Sequence, residues 1–198
     1  MKIAILGGGG CFALNFAKYL EANGIEHFGI GRSGPKKAPF WLASKNYRFW
    51  ALHLVDDLDA YLLVLDSEKP DVIVNFAAQG EGAASFGENA PDFFRTNTLG
   101  LCKLAFELLK RDYIKRFVQI GTSELYGSTE QPAKETDPLK GTSPYAISKQ
   151  AFDQVLEAMF RIHGFPMNIV RPSNCYTEGQ QLYRVIPKAI VCALSGKK

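Results

Sequence analysis

The sequence predicts an α/β domain with a doubly wound, mainly parallel sheet. Three observations carry this. Short apolar runs alternate with amphipathic stretches along the whole chain, the pattern of strands joined by helical crossovers. The first run ends on four glycines, Gly7 to Gly10, directly ahead of a helical stretch. The 198 residues also suffice for one domain with a proper core.

Taken in order, Lys2 to Leu6 reads as a buried strand. Phe12 to Asn23 carries Phe12, Phe16, Tyr19 and Leu20 at helical spacing and stops at Asn23-Gly24. Ile25 to Ile30 is a second strand and Phe49 to Val55 a weaker third. Asp57 to Ser67 is a helix with Leu58, Leu62 and Leu65 on one face. Asp71 to Phe76 is a fourth strand, Pro91 to Arg111 a long helix, and Arg116 to Gly121 a fifth strand. Pro144 to His163 is a helix, Met167 to Arg171 a sixth strand, and Gln181 to Leu194 a last helix. The stretches Gly31 to Pro39 and Ser128 to Gly141 read as surface loops. Crossovers between parallel strands are right-handed, so helices cover both faces.

Composition narrows the function. Lys plus Arg number 23 and Asp plus Glu 20, a net charge of +3, too small an excess to imply a nucleic-acid partner. A local basic site for a phosphate stays open. Cys11, Cys102, Cys175 and Cys192 are far apart and show no zinc spacing, so no metal is expected and a reducing cytoplasm is the expected compartment. The glycines cut off the N-terminal apolar run, which makes a poor signal peptide, and no apolar stretch is long enough to cross a bilayer.

Glycines between a strand and a helix allow a tight turn and let a pyrophosphate approach the backbone. The helix N-terminus then offers free N–H groups and a positive dipole end. Gly7, Gly10 and Ala13 are spaced by three and three. A flexible turn is the bland alternative, and the strand–loop–helix context favours a dinucleotide site of Rossmann-like type. The second strand ends in Gly29-Ile30-Gly31-Arg32-Ser33 with no acid, although an NAD site usually has Asp or Glu there. Arg32, with Ser33 as a second donor, suits a 2′-phosphate and favours NADP, with NAD the alternative. An ordinary solvated loop arginine is the competing reading of Arg32.

Tyr145 and Lys149 are four apart at the start of a helix and share a face. A nearby ammonium stabilises phenolate and lowers the phenol pKa, which would make Tyr145 an acid/base and Lys149 its electrostatic partner. The spacing alone also arises by chance. Thr122, Ser123 and Glu124 follow the fifth strand at its carboxyl end, where open α/β sheets bind ligands. Thr122 can bond a sugar hydroxyl. Glu124 can act as a base if partly buried, and is otherwise a solvated loop acid.

These residues stand in segments that resemble the extended short-chain dehydrogenase/reductase family, in its NAD(P)-dependent nucleotide-sugar epimerase/dehydratase branch. The matching segments are Gly7-x-x-Gly10-x-x-Ala13, Asn75-Phe76-Ala77-Ala78-Gln79, Thr96-Asn97-Thr98-Leu99-Gly100, Tyr145-Ala146-Ile147-Ser148-Lys149 and Arg171-Pro172-Ser173-Asn174, in the family's order. The stretch Gly121-Thr122-Ser123-Glu124-Leu125-Tyr126-Gly127 is most similar to GDP-mannose 4,6-dehydratases, which use NADP; epimerases usually carry small residues where Glu124 lies.

The resemblance implies a mechanism. Tyr145 takes the proton of the sugar 4-hydroxyl while hydride leaves C4 for the nicotinamide, and Thr122 bonds the same hydroxyl. Glu124 removes the C5 proton. The C6 hydroxyl leaves as water, with Glu124 or a bound water as acid because Ser123 is a poor one, and hydride returns to C6. The product is a 4-keto-6-deoxy sugar nucleotide. The resemblance also places Gly9, Phe12, Ala77, Ala78 and Asn97 at the cofactor, Asp56 or Asp57 at its adenine, and Ser85 and Asn174 at the substrate. It implies a homodimer through the helices at 91–111 and 144–163.

Two departures stand out, Leu6 where the family has Thr and Tyr176-Thr177-Glu178 where it has Tyr-Gly-Pro. Family members also continue for roughly another hundred residues. The expected organisation is therefore a dinucleotide-binding domain over 1–178 and, over 179–198, the start of a substrate-binding region that is largely missing. A C4 epimerase or ketoreductase on the same scaffold, or a cofactor-binding module inactive as this fragment, are the alternatives to the dehydratase.

Overall fold

The computed structural model describes residues 1–34, 46–80 and 83–196. Six strands form one parallel sheet: β1 (Lys2–Leu6), β2 (Glu26–Gly31), β3 (Phe49–Ala51), β4 (Val72–Asn75), β5 (Arg116–Ile120) and β6 (Met167–Val170). Their spatial order is β3-β2-β1-β4-β5-β6. Leu6 pairs with Ile30 on one side and Asn75 on the other, so the chain reverses direction across the sheet between β1 and β4. That is the Rossmann-type order, with its ligand crevice at the carboxyl ends of the strands around the reversal.

Alternation along β1 divides the core between the two faces. Ile3 and Ile5 pack with Ala13, Ala17 and Leu20 of α1 (Cys11–Ala22). Ala4 and Leu6 face the larger cluster, built from Tyr61, Leu62 and Leu65 of α2 (Leu58–Glu68), Leu101, Leu104, Ala105 and Leu108 of α4 (Leu101–Leu108), and Phe152, Leu156 and Met159 of α5 (Pro144–His163). The bounds of α5 match the expectation because its ends are chemically explicit. The Ser143 hydroxyl accepts from Ala146 N at 3.0 Å, Pro144 opens the first turn, and Gly164 closes the helix in the left-handed conformation.

Several elements differ from expectation. The long helix 91–111 is three pieces, α3 (Ala90–Phe94), a π-turn over Arg95–Gly100, and α4. The π-turn is centred on the buried Asn97, whose side chain is drawn to partners outside the helix. β3 stops at Ala51 because Leu52 N makes a last bond to Gly31 O and the chain then turns into α2. The last helix, α6 (Val185–Leu194), begins four residues late: Pro187 fits a first turn but would break a helix begun at Gln181. Gly31 is the end of β2, not loop, and the expected loop to Pro39 lies beyond Gly34 outside the described residues. No helix among the described residues is long and apolar enough to cross a membrane.

Candidate active site

The first crossover is built for close backbone approach. Gly7 has φ +70, and a Cβ there would lie 2.6 Å from Ala77 N. At Gly9 a Cβ would lie 1.9 Å from Ser33 O. Only glycine lets the loop touch both the end of β4 and the Arg32-Ser33 turn. Gly10 caps α1 in extended conformation, with no side-chain cap and no acid in the first turn. The helix therefore presents an uncapped positive end beside these two turns, a donor set that fits an anionic pyrophosphate. Phe12 is exposed, and Ala13 is fully buried and packs between helix and sheet. Arg32 is exposed beside the loop. Tyr47, which the sequence did not point to, donates to Gly8 O at 3.1 Å and lies against Gly29, bracing the loop from below.

Of the two candidate adenine contacts, Asp57 accepts from His53 N at 2.7 Å and Asp56 pairs with Arg95. Both are exposed and already have protein partners.

Ala77 and Ala78 follow β4, and their turn is fixed by buried amides. Asn75 Oδ1 accepts from Ala77 N at 3.0 Å, while its Nδ2 donates to Gln119 Oε1 at 2.7 Å. Asn97 Oδ1 accepts from Gln79 N at 2.7 Å, and its Nδ2 donates to Gln79 O and to Ser148 Oγ, both at 3.0 Å. Asn97 has no exposed surface and positions the 77–79 turn. Ser85 is fully buried, and its Oγ accepts from Tyr145 N at 3.1 Å, which anchors the start of α5.

Thr122, two residues beyond β5, caps a single 3-10 turn, Ser123–Tyr126, its Oγ1 accepting from Glu124 N at 3.3 Å. Ser123 N donates to Pro172 O at 3.0 Å, which ties this turn to the segment after β6. The Thr122 hydroxyl lies close to the Tyr145 phenol. The expected lowering of that phenol is not what the structure gives. Burial pushes the Tyr145 phenol up, the Glu124 carboxylate adds to this, and the Thr122 hydroxyl pulls the other way. The Lys149 Nζ, buried, donates to Ile120 O at 2.6 Å, and loss of solvent lowers its pKa to about 8. Glu124 is exposed, yet close enough for its charge to be felt at the phenol. Asn174 is also exposed.

The structure thus gathers Thr122, Ser123, Glu124, Tyr145 and Lys149 around the carboxyl end of β5, near the 77–79 turn. A surface cleft of about 390 Å³ lies elsewhere, at the amino end of β2 among Glu21, Glu26, His27 and Arg48, and holds none of these groups. Two buried charges beside the cluster, Asp153 and Arg171, had no assigned role from sequence. Spacing could have found Asp153, since Tyr145, Lys149 and Asp153 repeat every four residues.

A glycine loop shaped for backbone contact with a pyrophosphate, at the reversal point of a parallel sheet, defines a dinucleotide-binding α/β protein. The chain belongs to the NAD dependent epimerase/dehydratase family, whose model matches residues 3–198. It is 34% identical over 160 residues to the trifunctional UDP-glucose 4,6-dehydratase/UDP-4-keto-6-deoxy-D-glucose 3,5-epimerase/UDP-4-keto-L-rhamnose-reductase of Arabidopsis thaliana, a match over 78% of this chain and 24% of that protein. The dTDP-glucose 4,6-dehydratase of Bacillus anthracis, solved in complex with NAD, superposes with a TM-score of 0.84 at 27% identity, over 100% of this chain and 63% of that one. The UDP-glucose 4-epimerase of Thermotoga maritima, solved with UDP-glucose, superposes with a TM-score of 0.87 at 25% identity, over 100% and 64%. The chain thus spans less than two thirds of the length of each of these proteins. The dehydratases among them are named for UDP-glucose and dTDP-glucose, not for the GDP-mannose that the Thr122–Gly127 stretch suggested.

Proposed function

We propose that this chain carries the cofactor-binding and proton-transfer machinery of a nucleotide-sugar 4,6-dehydratase, which forms a 4-keto-6-deoxy sugar nucleotide. The observation that carries the proposal is the 3-10 turn after β5, which sets the Glu124 carboxylate within electrostatic range of the Tyr145 phenol, with the Thr122 hydroxyl close to the same phenol. A dehydratase needs two bases on one sugar, and a reductase or epimerase needs only one.

When bound, the nicotinamide supplies a reversible hydride acceptor. The chain's own residues do the rest. Tyr145 takes the 4-hydroxyl proton, with Thr122 orienting the same oxygen. Lys149 stabilises the phenolate as it forms. The C4 ketone acidifies C5, Glu124 removes that proton, and the C6 oxygen leaves as water, protonated by Glu124 or through a bound water. The hydride taken from C4 ends on C6 and the proton held by Tyr145 passes to C5, so substrate and product differ by one water.

NADP is the proposed cofactor form, with NAD the alternative, on the ground that β2 ends in Arg32 and Ser33 without an acid and that Gly9 seats its backbone against Ser33. Asp56 or Asp57 is the proposed adenine contact and Asn174 the proposed substrate contact. Residues 1–178 form the proposed dinucleotide-binding domain and 179–198 the start of the substrate-binding region. A homodimer is proposed through α3–α4 and α5, which expose Phe94, Leu99, Phe106, Ile147, Phe160 and Ile162; the cytoplasm is the proposed compartment.

The test is proton NMR of the chain with NADP and, separately, UDP-glucose, dTDP-glucose, GDP-mannose or CDP-glucose. A new C6 methyl signal with one donor supports the dehydratase. The second reading, a 4-epimerase, is favoured by the exposure of Glu124 and by the fold match to the Thermotoga epimerase; it requires inversion at C4 with the C6 hydroxyl retained.

A further inference from the structure

The face of α5 that carries Tyr145 and Lys149 continues one turn on to Asp153, a carboxylate that the proposed chemistry does not use. Asp153 is fully buried. Its Oδ2 accepts from Arg171 Nε at 3.0 Å and sits where a Cβ on Gly121 would come within 3.3 Å, directly beneath the start of the Thr122–Glu124 turn. Its Oδ1 has no hydrogen-bond partner. Arg171 in turn donates to Tyr126 Oη at 3.1 Å, at the far end of that turn, and to Glu157 Oε1 at 3.3 Å.

Stability alone does not account for this carboxylate. A buried ion pair is commonly no better than an apolar pair of the same volume, and an oxygen left unbonded makes it worse. What the position does supply is negative charge beneath a buried ammonium. Lys149 has a neutral carbonyl, Ile120 O, as its hydrogen-bond acceptor. Burial strips solvent from its charge and Asp153 opposes that effect. The other groups on this face are Tyr145 on the same helix, Glu124 on the turn after β5, Arg171 and its second partner Glu157, and Arg184 ahead of α6, whose charge reaches Tyr145. Of these, Asp153 is the one whose charge acts on Lys149 against burial.

We propose that Asp153, held in place by Arg171, is a positioning residue that keeps Lys149 protonated at neutral pH and locks α5 to the Thr122–Glu124 turn. This rests on the reading of Tyr145 and Lys149 as the proton-handling pair. Its test reads Lys149 directly and needs no substrate, so failure of the dehydratase reading leaves it decidable.

The experiment is a pH titration of the chain labelled with 13Cε-lysine, with the Lys149 signal assigned by its loss in Lys149→Met. In the parent protein that signal titrates below the other lysines. In Asp153→Asn it moves further down, by about one pH unit, and in Asp153→Glu it returns towards the parent value. A folded Asp153→Asn whose Lys149 signal titrates as in the parent overturns the proposal. Should Asp153→Asn not fold, the parent titration decides. A carboxylate coupled to Lys149 adds a second, acidic inflection to its signal as Asp153 takes a proton, and a single inflection overturns the proposal.

Discussion

Asn97 and Ser148 stand 51 residues apart in sequence and meet at 3.0 Å, Nδ2 to Oγ. The Ser148 hydroxyl passes the contact on to Tyr145 O at 2.7 Å, and Thr98 Oγ1 bonds Ser148 O at 2.8 Å. One buried amide inside a π-turn therefore joins the turn after β4, which borders the glycine loop, to the first turn of the helix that carries Tyr145 and Lys149. π-turns within helices occur often at functional sites; here the irregularity turns Asn97 towards both neighbours.

Replacing Asn97 by Ala removes three hydrogen bonds and leaves Gln79 N without its acceptor. The expected loss is about 2–3 kcal/mol, measured by urea denaturation. Dinucleotide affinity falls with it, because the 77–79 turn loses its anchor. An unchanged denaturation midpoint would mean that the turn is held by something else.

Gly9→Ala puts a methyl group where Ser33 O now sits. The loop or the Arg32-Ser33 turn must move by more than an ångström. NADPH affinity, followed by its fluorescence, is expected to fall tenfold or more, about 1.4 kcal/mol. Affinity equal to the parent's would show that this contact is not part of the cofactor site.

Arg32→Ala separates the two cofactor forms. Loss of a charge-assisted contact to a 2′-phosphate costs about 1.5–3 kcal/mol, so NADP binding weakens roughly ten- to a hundredfold while NAD binding holds. Equal weakening of both would assign Arg32 to the loop and not to the phosphate.

Lys149 makes stability depend on pH. Its folded pKa, about 8, lies below the ordinary lysine value. Between those two values the unfolded chain binds more protons, so stability rises with pH across this window. Below pH 8 the burial penalty is fully present, on the order of 3 kcal/mol; it is relieved as pH approaches 10. Above that, the buried Tyr47 and Tyr61, both pushed up by burial, reverse the trend as the unfolded chain loses their protons. Lys149→Met is expected to flatten the rise between pH 8 and 10 in urea titrations. A parent protein with no such rise would contradict the burial of a charged Lys149.

Much of this was legible in the sequence where the signal is local. Ser143, Pro144 and Gly164 write the ends of α5 into adjacent residues, and Gly7 to Gly10 announce the loop. Signals that depend on partners elsewhere were not. The helix from Pro91 reads as continuous because its apolar spacing persists through the π-turn, and only contact with Gln79 and Ser148 shows why it breaks. Ser85 and Asn97 read as ligand contacts because their segments adjoin the site; their burial and their bonds to Tyr145 N and to Gln79, properties of packing and not of spacing, were not legible. The four-residue spacing of Tyr145 and Lys149 gave no sign that one donor of the ammonium goes to the Ile120 carbonyl. Tyr47 and Arg171 meet their neighbours, Gly8 and Asp153, only through the sheet order.

The most direct test of the proposed dehydratase is the fate of C6 in the parent and in Glu124→Gln, followed by proton NMR with NADP and each nucleotide-glucose donor, using this chain and any longer form of the same reading frame. The expected result is a C6 methyl signal in the parent and its loss, by at least about a hundredfold in rate, in Glu124→Gln. Inversion at C4 with an intact C6 hydroxyl, at similar rates in both proteins, would contradict the dehydratase and leave an epimerase.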